Sequence, residues 1–261
     1  MFIQTSKLKN YFAEIFNKKA LPRDFKILCS YQMILHVIDG MIGLFLPIFL
    51  LETFHQKILW VMLFYLVGYG LYGLLVPLGA MTMSKIGLKK SMMLGRFFAI
   101  LFYFVFFVVR NDPFLLTVLA NIALIIFRLF YWVPYHTNFT QITHRDKRGR
   151  QVAYMAVVGY LASIAAPLLG GFLLNQYGFS LVFIVVMIAF LLSIIPLTFL
   201  TPVTARFEFS YFQTFKEWLK KKNQQLRIAY MADGAQDLVG IIIWPIFIYQ
   251  LLEKQYLSVM I

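Results

Sequence analysis

Seven stretches of the chain are apolar almost without interruption, at 27–51, 58–83, 91–109, 114–137, 152–175, 179–200 and 228–250. A helix needs about 20 apolar residues to cross the hydrocarbon core of a bilayer, and each stretch meets that length. None shows the period-two alternation of a strand. In lipid every backbone group must be satisfied internally, so helices are expected and a barrel is not. The connections are short and polar, apart from residues 201–227 between the sixth and seventh spans. The first span starts too late, runs too long and lacks the small-residue site expected of a cleaved leader.

Composition agrees with this pattern. Hydrophobic residues make up 61% of the 261 positions and charged residues only 13%, against roughly 45–50% and 25% in soluble domains. Lipid is therefore the solvent for most of the chain. The lone cysteine, Cys29, excludes an internal disulfide and any thiolate zinc cluster. No metal or cofactor is expected, and the chain carries no nucleotide-binding or zinc-protease motif.

The net charge of +13 suggests nucleic acid until its placement is read. Six Lys and Arg lie in 1–26, three in 84–90, four in 138–151 and six in 201–227, whereas the alternate loops hold only Lys57, Arg110 and Lys254. That asymmetry is a topology signal, with the N-terminus and the even-numbered loops cytoplasmic in a multi-pass cell membrane protein. Nucleic acid is not an expected partner; the lipid bilayer is. His144-Arg145-Asp146 is read as a charged loop and not as a kinase triplet. Asn138-Phe139-Thr140 falls on the side where glycosylation does not occur. Two polar segments are amphipathic: residues 207–226, with Phe212, Phe215, Trp218 and Leu219 on one helical face before Lys220, Lys221 and Lys222, and the stretch around Tyr11, Phe12, Ile15 and Phe16. Both suit helices lying in the headgroup region.

Charge inside the spans costs roughly 3 kcal/mol per group and calls for a reason. Asp39 in span 1, Arg128 in span 4 and Asp237 in span 7 all fall near the midplane. His36 precedes Asp39 by one turn. Asn121, Arg128, Trp132 and Tyr135 form a stripe on span 4, and Asp233, Asp237 and Trp244 form one on span 7. A cavity in which a carboxylate takes a proton or cation and Arg128 holds a polar or anionic group is one reading. A structural Asp39–Arg128 salt bridge is the other, and for His36 alone a packing role is favoured. Arg96, one turn inside span 3, is expected to snorkel to the interface. Gly68, Gly70 and Gly73 are spaced for close helix packing.

Three stretches resemble the major facilitator superfamily of secondary transporters. Residues 80–90 are similar to its loop motif Gly-x-x-x-Asp-Arg/Lys-x-Gly-x-Arg/Lys-Arg/Lys: Lys85, Gly87, Lys89 and Lys90 match, while Ala80 and Ser84 replace Gly and Asp. Ala166, Pro167, Gly170 and Gly171 in span 5 resemble the antiporter motif Gly-Pro-x-x-Gly-Gly. Arg128 stands where the family often has a buried arginine. Independently, residues 28–63 and 226–261 align without gaps at nine of 36 positions, including Asp39/Asp237 and Pro47/Pro245. A repeat between spans 1 and 7 is what two six-helix halves predict.

The resemblance implies an all-α integral membrane fold: a six-helix N-terminal bundle, then a seventh transmembrane helix, in an apparently truncated chain. Residues 1–26 read as a cytoplasmic amphipathic segment, 27–200 as the bundle and 201–227 as the inter-half linker. Residues 228–250 form the seventh span, and 251–261 begin a second half whose remainder is expected in cis or in trans. The function implied is proton-coupled secondary transport of a small solute, without enzymatic chemistry. A non-transporting scaffold and a membrane-embedded lipid enzyme stay open as alternatives.

Overall fold

A computed structural model describes residues 21–143, 146, 148–252 and 256. The segment around Tyr11 to Phe16, the His144-Arg145 pair and most of 251–261 lie outside these. Nine α-helices are described: α1 Arg23–Ile42, α2 Leu46–Thr53, α3 Ile58–Ile86, α4 Leu88–Val108, α5 Pro113–Ile142, α6 Arg148–Thr198, α7 Tyr211–Leu219, α8 Gln224–Asp237 and α9 Trp244–Leu251. No strand occurs among the described residues. Span 1 is α1 with α2, spans 2 to 4 are α3 to α5, and span 7 is α8 with α9. Spans 5 and 6 are two helices that meet within α6 at a kink on Gly178, whose φ of 72° only glycine adopts without strain.

Several helices outrun their apolar stretches. Span 3 begins at Leu88 and span 4 ends at Ile142, because polar residues continue a helix into water once its apolar middle has fixed it. The junction between spans 2 and 3 is a single residue, Gly87, at φ 86°. Span 4 starts on Asp112, whose carboxylate accepts the backbone N–H groups of Phe114 and Leu115 at 3.1 and 3.0 Å, with Pro113 at the first turn where a missing N–H costs nothing.

Span 1 lies along α6, span 3 packs against both span 4 and α6, and span 2 packs on span 4. The core is aromatic. Phe49 of span 1 meets Phe106, Phe179 and Phe183 edge-on at centroid distances of 5.4, 5.0 and 5.0 Å, near the low-energy geometry for ring pairs. Small residues set the closest approaches. Gly40 faces Ala166, Gly170 lies against the Met41 carbonyl, Gly79 against Leu129 and Gly95 against Phe130. In lipid, such contacts supply much of the association between helices.

The loop 84–90 sits at the basic end of the bundle and gathers the segment that follows span 6. The Lys89 ammonium donates to the Thr198 carbonyl, one of the carbonyls left unpaired at a helix C-terminus. The Leu88 N–H donates to Val203 O at 3.2 Å. Ser84, in the place of the family's Asp, accepts the Phe207 N–H at 2.9 Å through its hydroxyl oxygen. Lys85 and Lys90 point outward, exposed.

Span 7 differs from the others. Residues 228–241 are all exposed, and only Ile242, Pro245, Ile246 and Tyr249 are buried. These last pack on α2 at the end opposite the basic loops. There Glu52 accepts the hydroxyls of Tyr249 and Tyr256, the second at 2.7 Å, and Tyr256 meets Phe179 edge-on at 5.5 Å.

Candidate functional site

Asp39 lies deep along span 1, and its residue is exposed. Immediately beyond it the helix is interrupted: α1 ends at Ile42, residues 43–45 form a turn, and α2 resumes at Leu46. The cause is local. Pro47 has no N–H to give to Gly43, so the regular ladder fails there. Span 7 repeats the arrangement. Asp237 ends α8, a π-helical segment Leu238–Ile243 follows, and α9 restarts at Trp244 with Pro245 in its first turn. Both members of the repeat thus carry a carboxylate, then a backbone irregularity, then a proline. Interrupted helices at mid-membrane recur at the binding sites of transporters.

The Asp39–Arg128 pair does not form. The ion pairs of the described residues both belong to Glu217. Arg128 instead lays its guanidinium over the ring of Tyr69 in span 2, with Cζ 4.0 Å from the centroid. Its Nη1 has no hydrogen-bond partner. Asn121 sits two turns away on the same helix face, against Gly68 of span 2. Its amide donates to Thr117 O at 3.0 Å, and its side-chain oxygen is buried without a partner. A cation over a tyrosine face gains about 0.5–2 kcal/mol, which offsets part of its desolvation. The Asn121 and Arg128 part of the span 4 stripe therefore faces span 2.

Arg96 overturns the snorkelling expectation. It is 1% exposed, because span 3 begins at Leu88 and so places Arg96 more than two turns inside the helix. Its Cζ lies 3.9 Å from the Tyr131 ring centroid, 4.9 Å from Phe127, 5.3 Å from Tyr31 and 5.4 Å from Phe190. Spans 1, 4 and 6 supply the rings of this cage around a cation that comes from span 3. Its Nε and Nη2 are unpartnered. Tyr131 extends the network by donating to Gln32 Oε1 of span 1 at 3.0 Å. The aromatic run from Phe127 to Tyr135 was the available signal, since such rings at helical spacing can house a cation from a neighbouring helix.

His36 packs on span 5, where a Cβ on Gly159 would come within 2.5 Å of its Nε2; this is the packing role favoured for it. Beside it, Cys29, Gln32 and Gly159 line a pit of about 10 Å³, room for a single water. The motif on span 5 closes on the same helix next to Asp39. Ala166 and Pro167 abut Gly40, and Gly170 abuts Met41; Gly171 is buried. Asp233 and Asp237 are exposed on the free part of span 7. Among the described residues, no group of His, Cys, Asp and Glu could hold a metal ion.

The fold and this arrangement define a multi-span helical carrier with charged groups at mid-membrane. The sequence matches the Major Facilitator Superfamily over residues 28–252, and the chain belongs to that family of membrane transporters. A search of curated proteins finds no match.

Proposed function

We propose that the chain is a secondary transporter of a small solute driven by a proton gradient. Asp39 takes up and releases the proton, and Arg128 with Asn121 stands on the solute side. The observation that carries this reading is the position of Asp39: at mid-span, exposed, without an ion-pair partner and beside a helix break that recurs after Asp237. A carboxylate at that depth costs several kcal/mol unless function retains it. Pro167, Gly170 and Gly171 hold span 5 against the break and so keep the carboxylate in register. The exposed face of span 7, with Asp233 and Asp237, is the side on which a second set of helices would close the cavity. Those helices come from the same polypeptide or from a partner.

The test is a panel of radiolabelled solutes offered to proteoliposomes with an imposed pH gradient. Asp39→Asn is expected to insert and fold, to retain solute exchange and to lose gradient-driven accumulation by at least tenfold. Accumulation at the wild-type level in that variant would remove Asp39 from the coupling step.

The proposed topology places the N-terminus and residues 138–151 in the cytoplasm of a cell membrane. Asp146→Cys in a Cys29→Ser background is expected to resist an impermeant maleimide in intact cells and to react after permeabilisation. Reaction from outside would invert the topology.

A further inference from the structure

We propose that α7 and the turn after it form a docking surface for anionic lipid at the basic end of the bundle. The inference concerns the membrane surface and does not rest on the proton site.

Three observations converge on α7. The first is how it is held. The linker runs back along span 2, tied through Leu88 N–H to Val203 O and Phe207 N–H to Ser84 Oγ. The Tyr211 hydroxyl then donates to the Leu74 carbonyl at 3.0 Å. Leu74 lies about 18 Å along the axis from Ile86. Span 2, at 29 residues, is about 43 Å long and overruns a 30 Å hydrocarbon core by roughly 6 Å at each end. The Leu74 carbonyl therefore sits about 12 Å below the boundary, and α7 starts one tyrosine side chain away. Interfacial helices bury their apolar face about 5–10 Å into the headgroup and acyl boundary, so α7 starts close to the inner edge of that band.

The second observation is what α7 shows. Phe212 is 80% exposed, Leu219 62% and Trp218 49%, while Tyr211 and Phe215, both half-buried, meet edge-on at 5.3 Å. An apolar face left open at that depth meets acyl chains.

The third is charge. Between residues 211 and 227 there are five cations, Lys216, Lys220, Lys221, Lys222 and Arg227, and one carboxylate, Glu217. Lys220 and Lys222 pair with Glu217; Lys216 and Lys221 stay exposed. The turn is stiff: Arg227 donates to the carbonyls of Trp218 and Lys220 at 2.6 and 3.0 Å, and Asn223 donates to Glu217 O at 2.8 Å. A fixed turn presents its lysines together at the edge of the apolar face. Each basic residue near an anionic surface gains about a fivefold preference.

The experiment uses the full chain in nanodiscs, whose two faces are both accessible, so the result is independent of topology. A nitrobenzoxadiazole probe is placed at Phe212→Cys in the Cys29→Ser background, with Glu208→Cys as the solvent-facing comparison. In phosphatidylcholine with phosphatidylserine, the probe at 212 is expected to be quenched by shallow spin-labelled lipid. Aqueous iodide should reach it several-fold less than the probe at 208. Removing phosphatidylserine, or changing Lys220, Lys221 and Lys222 to Gln, should raise iodide access several-fold. Equal iodide access at 212 and 208 would overturn the proposal. So would a lipid-buried probe indifferent to phosphatidylserine and to the three lysines, which would mark an apolar anchor or a protein contact. Phe212 is largely exposed, so its replacement leaves the fold intact.

Discussion

Gly170→Ala is expected to abolish the folded protein, a severe result for the addition of one methyl group. A Cβ at Gly170 would fall inside contact distance of the Met41 carbonyl oxygen and its attached atoms. These are backbone atoms of a packed helix and cannot rotate away. Ordinary overpacking costs about 1–3 kcal/mol when side chains can adjust; here whole helices must separate, so a loss above about 3 kcal/mol is expected. The separation would extend to the neighbouring approach of Gly40 to Ala166. Gly73→Ala is the comparison, since no atom lies within 4 Å of a Cβ there, and its effect should stay within about 1 kcal/mol. Detergent-solubilised variants compared by size-exclusion profile and thermal midpoint would separate the two. A monodisperse Gly170→Ala peak with an unchanged midpoint would mean that spans 1 and 5 do not cross as described.

The second large effect is expected at Arg96. Arg96→Ala empties the centre of a cage shared by spans 1, 3, 4 and 6, removing both the volume and the attraction between the guanidinium and the rings of Tyr31, Phe127, Tyr131 and Phe190. Cavity formation at a large buried side chain costs about 3–5 kcal/mol, and the cation–ring term adds up to about 2 kcal/mol. Against this stands relief of the desolvated Nε and Nη2, which have no acceptor and cost on the order of 1–3 kcal/mol in the wild type. The net loss is expected near 3 kcal/mol. Arg96→Met fills much of the volume without burying a charge, so it should lose clearly less than Ala. The thermal midpoints of the two variants test this directly. Equal midpoints for Ala and Met would show that the space is not packed.

The sequence alone determined the number and order of the spans. Burying about 20 apolar residues per helix leaves few other structures in lipid, and that constraint acts locally on each stretch. It also marked Gly87 and Gly170 as motif positions and Asp39/Asp237 with Pro47/Pro245 as a repeat, since glycine, proline and intramembrane carboxylate each carry their meaning at a single position. What faces what was decided only by the tertiary structure. A helix shows its period but not its rotation against neighbours, so Asn121 and Arg128 turned to Gly68 and Tyr69 of span 2 and not to Asp39. Arg96 was misread because its depth depends on where the helix starts, and polar residues at a span's end leave that start undefined. The Glu52 clasp with Tyr249 and Tyr256 joins residues about two hundred positions apart, and no local pattern encodes such a meeting. Ser84 reads as a lost carboxylate in the sequence; only the folded chain brings the Phe207 amide to its hydroxyl. Local chemistry fixed the elements, and the long-range packing of small residues against backbone fixed which side chains share a space.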